Sequence, residues 1–345
     1  MNQPLLTVIV LCYNVEKYMD KCILSIAGQK YTNLEILLVV DDCPDNTEKI
    51  CYEWQNRDKR IRVIHGQNEG CAYAYKTGVE NATAEYVTFV DADDWIDENM
   101  YSNMMNALLS TRSDIAQCGV CDAYEDGRIQ HRASELIDGS FEIVDRIKGV
   151  LLIIEDKKWR SYLCNKIFRK NLFNHVEFPK GRGLSEDTTI MHVLFHHASK
   201  TVHFQDEYYF YLQRSGSMCN PNNIASTMKN RYDTFNAFYE RYCFVEQYSE
   251  YHPCLVFAKN NVFGRGMRAL RDSIIYPQYF PANYSDLLVK QLQTICFKRK
   301  DIVKEFYIPK MRIQIFVFLL SPACYKWLVT VTKPFYKLSS GQQSK

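Results

Sequence analysis

The sequence predicts an α/β protein with a mostly parallel central sheet flanked by helices, followed by a helical C-terminal region. Three observations predict it. Short apolar, β-rich runs alternate with segments of helical period from the N-terminus onward. Two of those runs break off abruptly into aspartates. After about residue 218 only helical periodicity remains. Continuous apolar strands joined by helices are the mark of a parallel sheet covered on both faces, and such sheets bind ligands outside the carboxyl ends of their strands. The break points therefore mark a candidate site.

Leu5 to Cys12 is the first strand, ending at Tyr13-Asn14, and Val15 to Gln29 carries apolar residues at helical spacing. Leu34 to Val40 is the second strand and runs into Asp41-Asp42-Cys43-Pro44-Asp45. Asp45 or Thr47 is placed to cap the next helix, which carries Ile50, Cys51 and Trp54; Asp42 has no such role. Tyr86 to Val90 is a further strand and ends in Asp91, Asp93 and Asp94. Carboxylates crowded in this way repel one another, a cost usually tolerated where a cation or a hydrogen-bonded ligand offsets it. An isolated Asp-x-Asp is common by chance, so its weight here comes from its position at a strand end.

Ile115 to Tyr124 and Arg128 to Arg132 flank Glu125-Asp126-Gly127 as a hairpin would. Phe141 to Glu155 reads as a helix, Lys166 to Lys170 as a short strand, and Lys180-Gly181-Arg182-Gly183 as a flexible loop that could order on ligand binding. Helices are expected at about 224 to 248, 254 to 275, 283 to 299 and 311 to 331. Met311 to Val331 is apolar and aromatic, bordered by Lys310, Arg312, Lys326, Lys333 and Lys337. Ser321-Pro322 and Lys326 interrupt it, which argues against a spanning helix and for lying at a membrane surface; the alternative is packing on the N-terminal α/β domain or a dimer partner.

The 345 residues are 47% hydrophobic with a formal net charge of +2, enough core for two domains and no polyanion signal, so nucleic acid is not an expected partner. The 13 cysteines are scattered through strands and helices and no secretory signal opens the chain. They read as reduced core residues of a cytoplasmic protein. Cys118-Gly119-Val120-Cys121 lacks a second pair for zinc, and His196-His197 reads as a helix end.

The segments Thr7-Val8-Ile9-Val10-Leu11-Cys12-Tyr13-Asn14, Val40-Asp41-Asp42 and Phe89-Val90-Asp91-Ala92-Asp93-Asp94-Trp95 together resemble a family 2 glycosyltransferase of the GT-A fold. Gly183-Leu184-Ser185-Glu186-Asp187 resembles the family's Glu-Asp segment, and Tyr208 to Ser217 its following strand and arginine loop. The resemblance covers residues 1–218, with 1–97 as the nucleotide-sugar half and 98–218 as the acceptor half; 219–345 is the helical region.

The resemblance implies an inverting, metal-dependent transferase. It would move a sugar from a nucleotide-sugar, with UDP favoured over GDP or dTDP, to a glycan or lipid-linked acceptor of a surface polysaccharide. Asp42 would accept a hydrogen bond from the base, with Tyr13 and Asn14 lining the same pocket. Asp93 would hold Mn²⁺ or Mg²⁺, Asp91 would meet the ribose or the metal, and Asp94 would support them. Arg214 would clamp the diphosphate, Asp187 would act as base, and Glu186 would orient the loop or the acceptor. Two departures stand out. Asp-Asp-Cys-Pro-Asp is shorter than the usual loop, and Tyr75 replaces an expected arginine, leaving Lys76 as the nearby charge. They suggest an alternative, a non-catalytic donor-binding or scaffolding homologue in a polysaccharide assembly complex. A nucleotidyltransferase would want a Gly-rich phosphate loop, and a processive polymerase a Gln-x-x-Arg-Trp motif with membrane spans; neither is present in the sequence.

Overall fold

The computed structural model describes residues 3–132, 140–157, 159–182, 184–214, 217, 223–295 and 309–333, with the side chains of 309–313 excepted. Gly183, Ser215 and Gly216, residues 296–299 of the third expected helix, and Lys337 lie outside the described residues, as do the side chains of Lys310 and Arg312. The chain forms two compact units, Met1–Arg214 and Ser215–Lys345.

In the first unit β1 (Leu6–Cys12), β2 (Leu34–Val40), β3 (Ile61–His65) and β4 (Tyr86–Asp91) are joined by α1 (Met19–Ala27), α2 (Thr47–Arg57) and α3 (Cys71–Asn81). All four strands are parallel, in the order β3-β2-β1-β4. Every residue of β2 is buried and all but one of β1, which requires helices on both faces. Where α3 crosses the sheet only glycine fits: a Cβ on Gly78 would lie 2.3 Å from Ile9 Cγ2. Helix α1 is shorter than the expected Val15 to Gln29, because Val15 N donates to Thr47 Oγ1 (2.9 Å) and is held outside the helix.

The sheet continues through β9 (Lys166–Arg169), antiparallel to β4, then β6 (Ile115–Tyr124), β10 (Lys200–Gln213) and β5 (Trp95–Ile96). β6 and β10 are parallel, and β5 pairs antiparallel with β10. The expected hairpin is present, with β7 (Ile129–Gln130) antiparallel to β6. The expected helix from Phe141 to Glu155 is corrected. Its first five residues form β8 (Phe141–Asp145), antiparallel to Lys200–Phe204, and only Arg146–Glu155 is helical, as α5. The edge of β10 supplies backbone partners for this β-prone segment, Phe141 packs on Phe204 (5.7 Å between ring centroids), and Asp145 caps α5 by accepting from Lys148 N (2.8 Å). The unit also holds the α-helices α4 (Met100–Thr111) and α6 (Glu186–His197); α6 ends at the His196-His197 pair.

The second unit holds α7 (Ile224–Gln247), α8 (Leu255–Ile275) and α9 (Tyr284–Thr294), then α10 (Pro309–Leu320) and α11 (Pro322–Thr332). Phe235, Val262, Phe263, Met267, Leu288 and Leu292 are among its buried residues. The single helix expected over 311 to 331 is two. Pro322 has no N–H to continue α10, and Ser321 starts α11 by accepting from Cys324 N (3.2 Å). Among the described residues no helix is long and apolar enough to cross a membrane, and every cysteine is a free thiol.

Candidate active site

Parallel register sets the site. Cys12 pairs with Val40 and Leu11 with Asp91, so β1, β2 and β4 end level, and Tyr13-Asn14, Asp41-Asp42 and Ala92-Asp93 leave the sheet along one edge. The first two exits are braced against each other. Glu16 N donates to Asp45 Oδ2 (3.0 Å) and Asn46 N to Glu16 Oε2 (2.9 Å). Asp45 also accepts from Thr47 N (3.1 Å), while the cap position of α2 belongs to Asn46; Asp45 and Thr47 act as braces, not caps. Asn68, in the left-handed region at φ 56°, accepts from Asp42 N (2.7 Å) and donates its own N–H to Asp41 Oδ1 (3.1 Å). The backbone of Asp42 is thus fixed while its carboxylate stays exposed. Tyr13 is 57% exposed beside it, and Asn14 is also left-handed.

The β4 exit is built differently. Asp94 is buried and fully used: Oδ2 accepts from the Tyr209 hydroxyl and Oδ1 from Leu212 N, both at 2.7 Å. The same hydroxyl accepts from Asp91 N (3.1 Å), so Tyr209 ties the strand tip to β10. Burial raises the Asp94 carboxyl well above the ordinary carboxylate range, and Asp93 and Asp91 add to the rise. This tether carries Arg214 back over the tip, where its Nε donates to Asp93 Oδ2 (2.8 Å) and its guanidinium lies 5.0 Å from the Tyr18 ring centre.

Asp91 is half-buried, and desolvation followed by the Asp93 and Asp187 charges pushes it up to about 7. Glu186 and Asp187 enter from the first turn of α6, whose cap position is held by left-handed Ser185 (φ 62°) rather than by Asp187. The partial positive charge of the helix start favours the Asp187 anion, and Asp187 Oδ1 accepts from Thr188 N (2.5 Å). Glu186 is pushed to about 8 by burial first, then by Asp187 and Asp91. Its Oε2 is buried with no hydrogen-bond partner among the described residues. Four carboxylates from two distant segments therefore share one electrostatic neighbourhood.

Of the residues expected from sequence, Asp91, Asp93, Glu186, Asp187 and Arg214 are brought together, while Tyr13, Asn14 and Asp42 line the adjoining exposed edge. Lys76 is not gathered with the carboxylates. Its Nζ stands 3.8 Å from Glu80 and 4.9 Å from the Tyr73 ring centre. The place of the expected arginine is taken by Tyr75, which is buried edge-on against Phe89 (5.1 Å) with its hydroxyl 3.4 Å from Asp91 Oδ1. Cys71, one turn earlier on the same face of α3, sits against Glu186; burial and the Glu186 and Asp91 charges push its thiol well up. Tyr75, Cys71 and Tyr209 were missed as contributors. The i, i+4 spacing of Cys71 and Tyr75, on the helix that presses Gly78 onto the strand leading to Tyr13, was the available signal.

The residues fit a divalent cation of the hard class. Among the described residues no three His, Cys, Asp or Glu side chains stand in ligating geometry. A cation here would draw Asp93 and Asp91 from the protein and take its other oxygen ligands from a bound diphosphate and water, which suits Mg²⁺ or Mn²⁺.

Residues 7–176 match the profile described as glycosyl transferase family 2. The chain is 33% identical over 236 residues to glycosyltransferase GlyG of Streptococcus pneumoniae, a match covering 62% of this chain and 72% of that one. S. aureus TarS 1–349 in complex with UDP-GlcNAc is similar in structure, with a TM-score of 0.62 at 16% identity, covering 96% of this chain and 93% of that one. The mannosyltransferase PcManGT of Pyrobaculum calidifontis, in complex with GDP-Man and Mn²⁺, gives a TM-score of 0.50 at 15% identity, covering 97% and 88%. At these identities the structural likeness is one of fold, and that fold is the GT-A arrangement expected from the motifs.

Proposed function

The chain belongs to glycosyl transferase family 2, and on that premise we propose an inverting, metal-dependent transferase that moves a sugar from a UDP-sugar to a glycan or lipid-linked acceptor in surface-polysaccharide synthesis. The observation that carries the reading is the convergence of Asp91, Asp93, Glu186 and Asp187 at the carboxyl ends of parallel strands, beside the exposed Asp42. Asp42 accepts a hydrogen bond from the base, with Tyr13 and Asn14 along the pocket wall and Asp91 toward the ribose. Asp93 would hold a divalent ion, which would supply charge neutralisation for the diphosphate. Arg214 exchanges its Asp93 partner for a diphosphate oxygen and clamps the leaving group.

Asp187 takes the proton of the acceptor hydroxyl as that oxygen attacks the anomeric carbon. The bond from that carbon to the diphosphate breaks, the diphosphate leaves with the electron pair, and a single in-line displacement inverts the centre. Glu186, held largely neutral in the pocket by burial, orients the acceptor side. A lipid-linked acceptor lies at a bilayer, and the C-terminal helical region is the part of the chain suited to meet it. The non-catalytic alternative loses support because the carboxylates are intact and gathered.

Calorimetric titration with UDP, GDP and dTDP, each with and without Mn²⁺, tests the donor assignment. UDP binding that requires Mn²⁺ is the expected result, and binding of none of the three would overturn the reading. Transfer assays on Asp187→Asn test the base: turnover should fall by about 10²–10⁴-fold while UDP affinity stays within about twofold.

A further inference from the structure

Helix α11 has the wrong outer face for a helix bathed in water. At about 100° per residue its buried side is Tyr325 and Val329, and Lys326, Thr330 and Lys333 fall together on another. The third side is solvent-facing and carries Cys324, Trp327, Leu328 and Val331, spaced i, i+3, i+4 and i+7. Trp327 is 67% exposed and Val331 52%. On α10, Phe316 and Leu320 are also about half exposed, while Ile315 and Phe318 fill the core. Phe318 packs edge-on against Phe263 and Tyr325, so the two helices are anchored in the unit by one set of aromatics and expose another.

Charge says what covers this face. From Phe306 to Lys345 the sequence holds six cations, Lys310, Arg312, Lys326, Lys333, Lys337 and Lys345, and no acid. The 305 residues before them hold 36 cations and 40 acids. A near-neutral sequence thus concentrates its positive charge along the stretch that contains α10 and α11. Another copy of the chain would bring like charge against like. A bilayer with anionic headgroups offers both an acyl boundary for Trp327, Leu328 and Val331 and the opposite charge for the acid-free basic stretch, in which Lys326 already shares its charge with Asp286.

We propose that α11, with Phe316 and Leu320 of α10, is an in-plane docking surface for anionic phospholipid, seating the outward Trp327 stripe at the headgroup–acyl boundary. It rests on the proposed lipid-linked acceptor for its purpose only, since binding is read without donor or acceptor. Lys326 is held by Asp286 at 2.5 Å, which sets it beside the stripe and not beneath it.

The test is co-sedimentation of the full chain with phosphatidylcholine vesicles, with and without phosphatidylglycerol. Binding should need phosphatidylglycerol, weaken at high salt, and fall about tenfold in Trp327→Ser. Melting temperature checks that this variant folds. In a second measurement, bromolipids should quench part of the tryptophan fluorescence of the wild type, and Trp327→Phe should bind but lose that part. Absence of vesicle binding, binding indifferent to Trp327→Ser, or quenching unchanged in Trp327→Phe would each overturn the proposal. So would concentration-dependent self-association abolished by Trp327→Ser without vesicle binding, which would give the face to a second copy. Vesicle binding that persists in a chain with no nucleotide binding or transfer would sink the transferase reading and leave this one standing.

Discussion

The β2 and β4 strand ends look alike in sequence, each an apolar run closing on consecutive aspartates, yet they are built for opposite purposes. At β2 the structural contacts spare the Asp42 carboxylate. Asn68 clasps Asp41 and the Asp42 amide, and the Asp42 carboxylate is left exposed for a ligand. At β4 the contacts use the carboxylates themselves. Asp94 is consumed by Tyr209 and Leu212, Asp93 by Arg214, and Asp91 is desolvated next to two other carboxylates. The first end suits neutral hydrogen-bond recognition in water; the second concentrates negative charge where a cation and a proton can be managed.

Substitution should separate the two ends. The largest effect is expected at the gathered end, where Asp187→Asn removes the base and turnover should fall by about 10²–10⁴-fold with UDP binding retained. Near-normal turnover would mean that another group takes the proton. Asp93→Ala comes next: the Mn²⁺-dependent part of UDP affinity should be lost, by about 10–100-fold in calorimetry, and Mn²⁺ should no longer change the titration. At the exposed end Asp42→Ala should weaken UDP binding by about tenfold with little change in melting temperature, since an exposed carboxylate carries little fold energy. If Asp42→Ala instead unfolds the chain, the contrast between the ends is wrong.

A smaller effect appears in pH. Burial raises Glu186 to about 8 and Asp91 to about 7 in the folded chain, above their unfolded values. The folded state therefore holds protons that the unfolded state has released between about pH 4.5 and 8. Their contribution is fully present below the unfolded pKa and is lost as pH rises through the folded one. Metal-free protein should thus lose stability across that window, and Glu186→Gln should flatten the loss by on the order of 1–3 kcal/mol in thermal melts at stepped pH. Parallel slopes for wild type and variant would show that Glu186 ionises normally. The least effect belongs to Tyr75→Phe, which removes one long hydrogen bond to Asp91 and should change turnover less than about threefold.

Much of the first unit was legible because strands buried on both faces must be continuously apolar and their carboxyl ends must face one way. β1, β2 and β4 follow from that, and so does the site edge. Phe141 to Asp145 was not legible as a strand, since five residues of mixed pattern pair only because the β10 edge is there to receive them. The break at Ser321-Pro322 was visible in sequence, but the resulting two helices were merged into one expectation.

Local chemistry written along the chain was enough to establish the α/β class, the aspartate-terminated strand ends, the Glu186-Asp187 helix start and the basic, aromatic C-terminal stretch. These are properties of neighbours, and periodicity and residue type report neighbours directly. Long-range convergence was settled by folding alone. Asp91 and Glu186 are 95 positions apart in the chain, and no pattern in either segment says that Asp91 will raise the pKa of Glu186. The tertiary structure also turned Lys76 away toward Glu80, set Tyr75 against Asp91, and chose Arg214 as the partner of Asp93. Each outcome depends on which helix face the sheet covers, and that is fixed by packing between segments far apart in the chain.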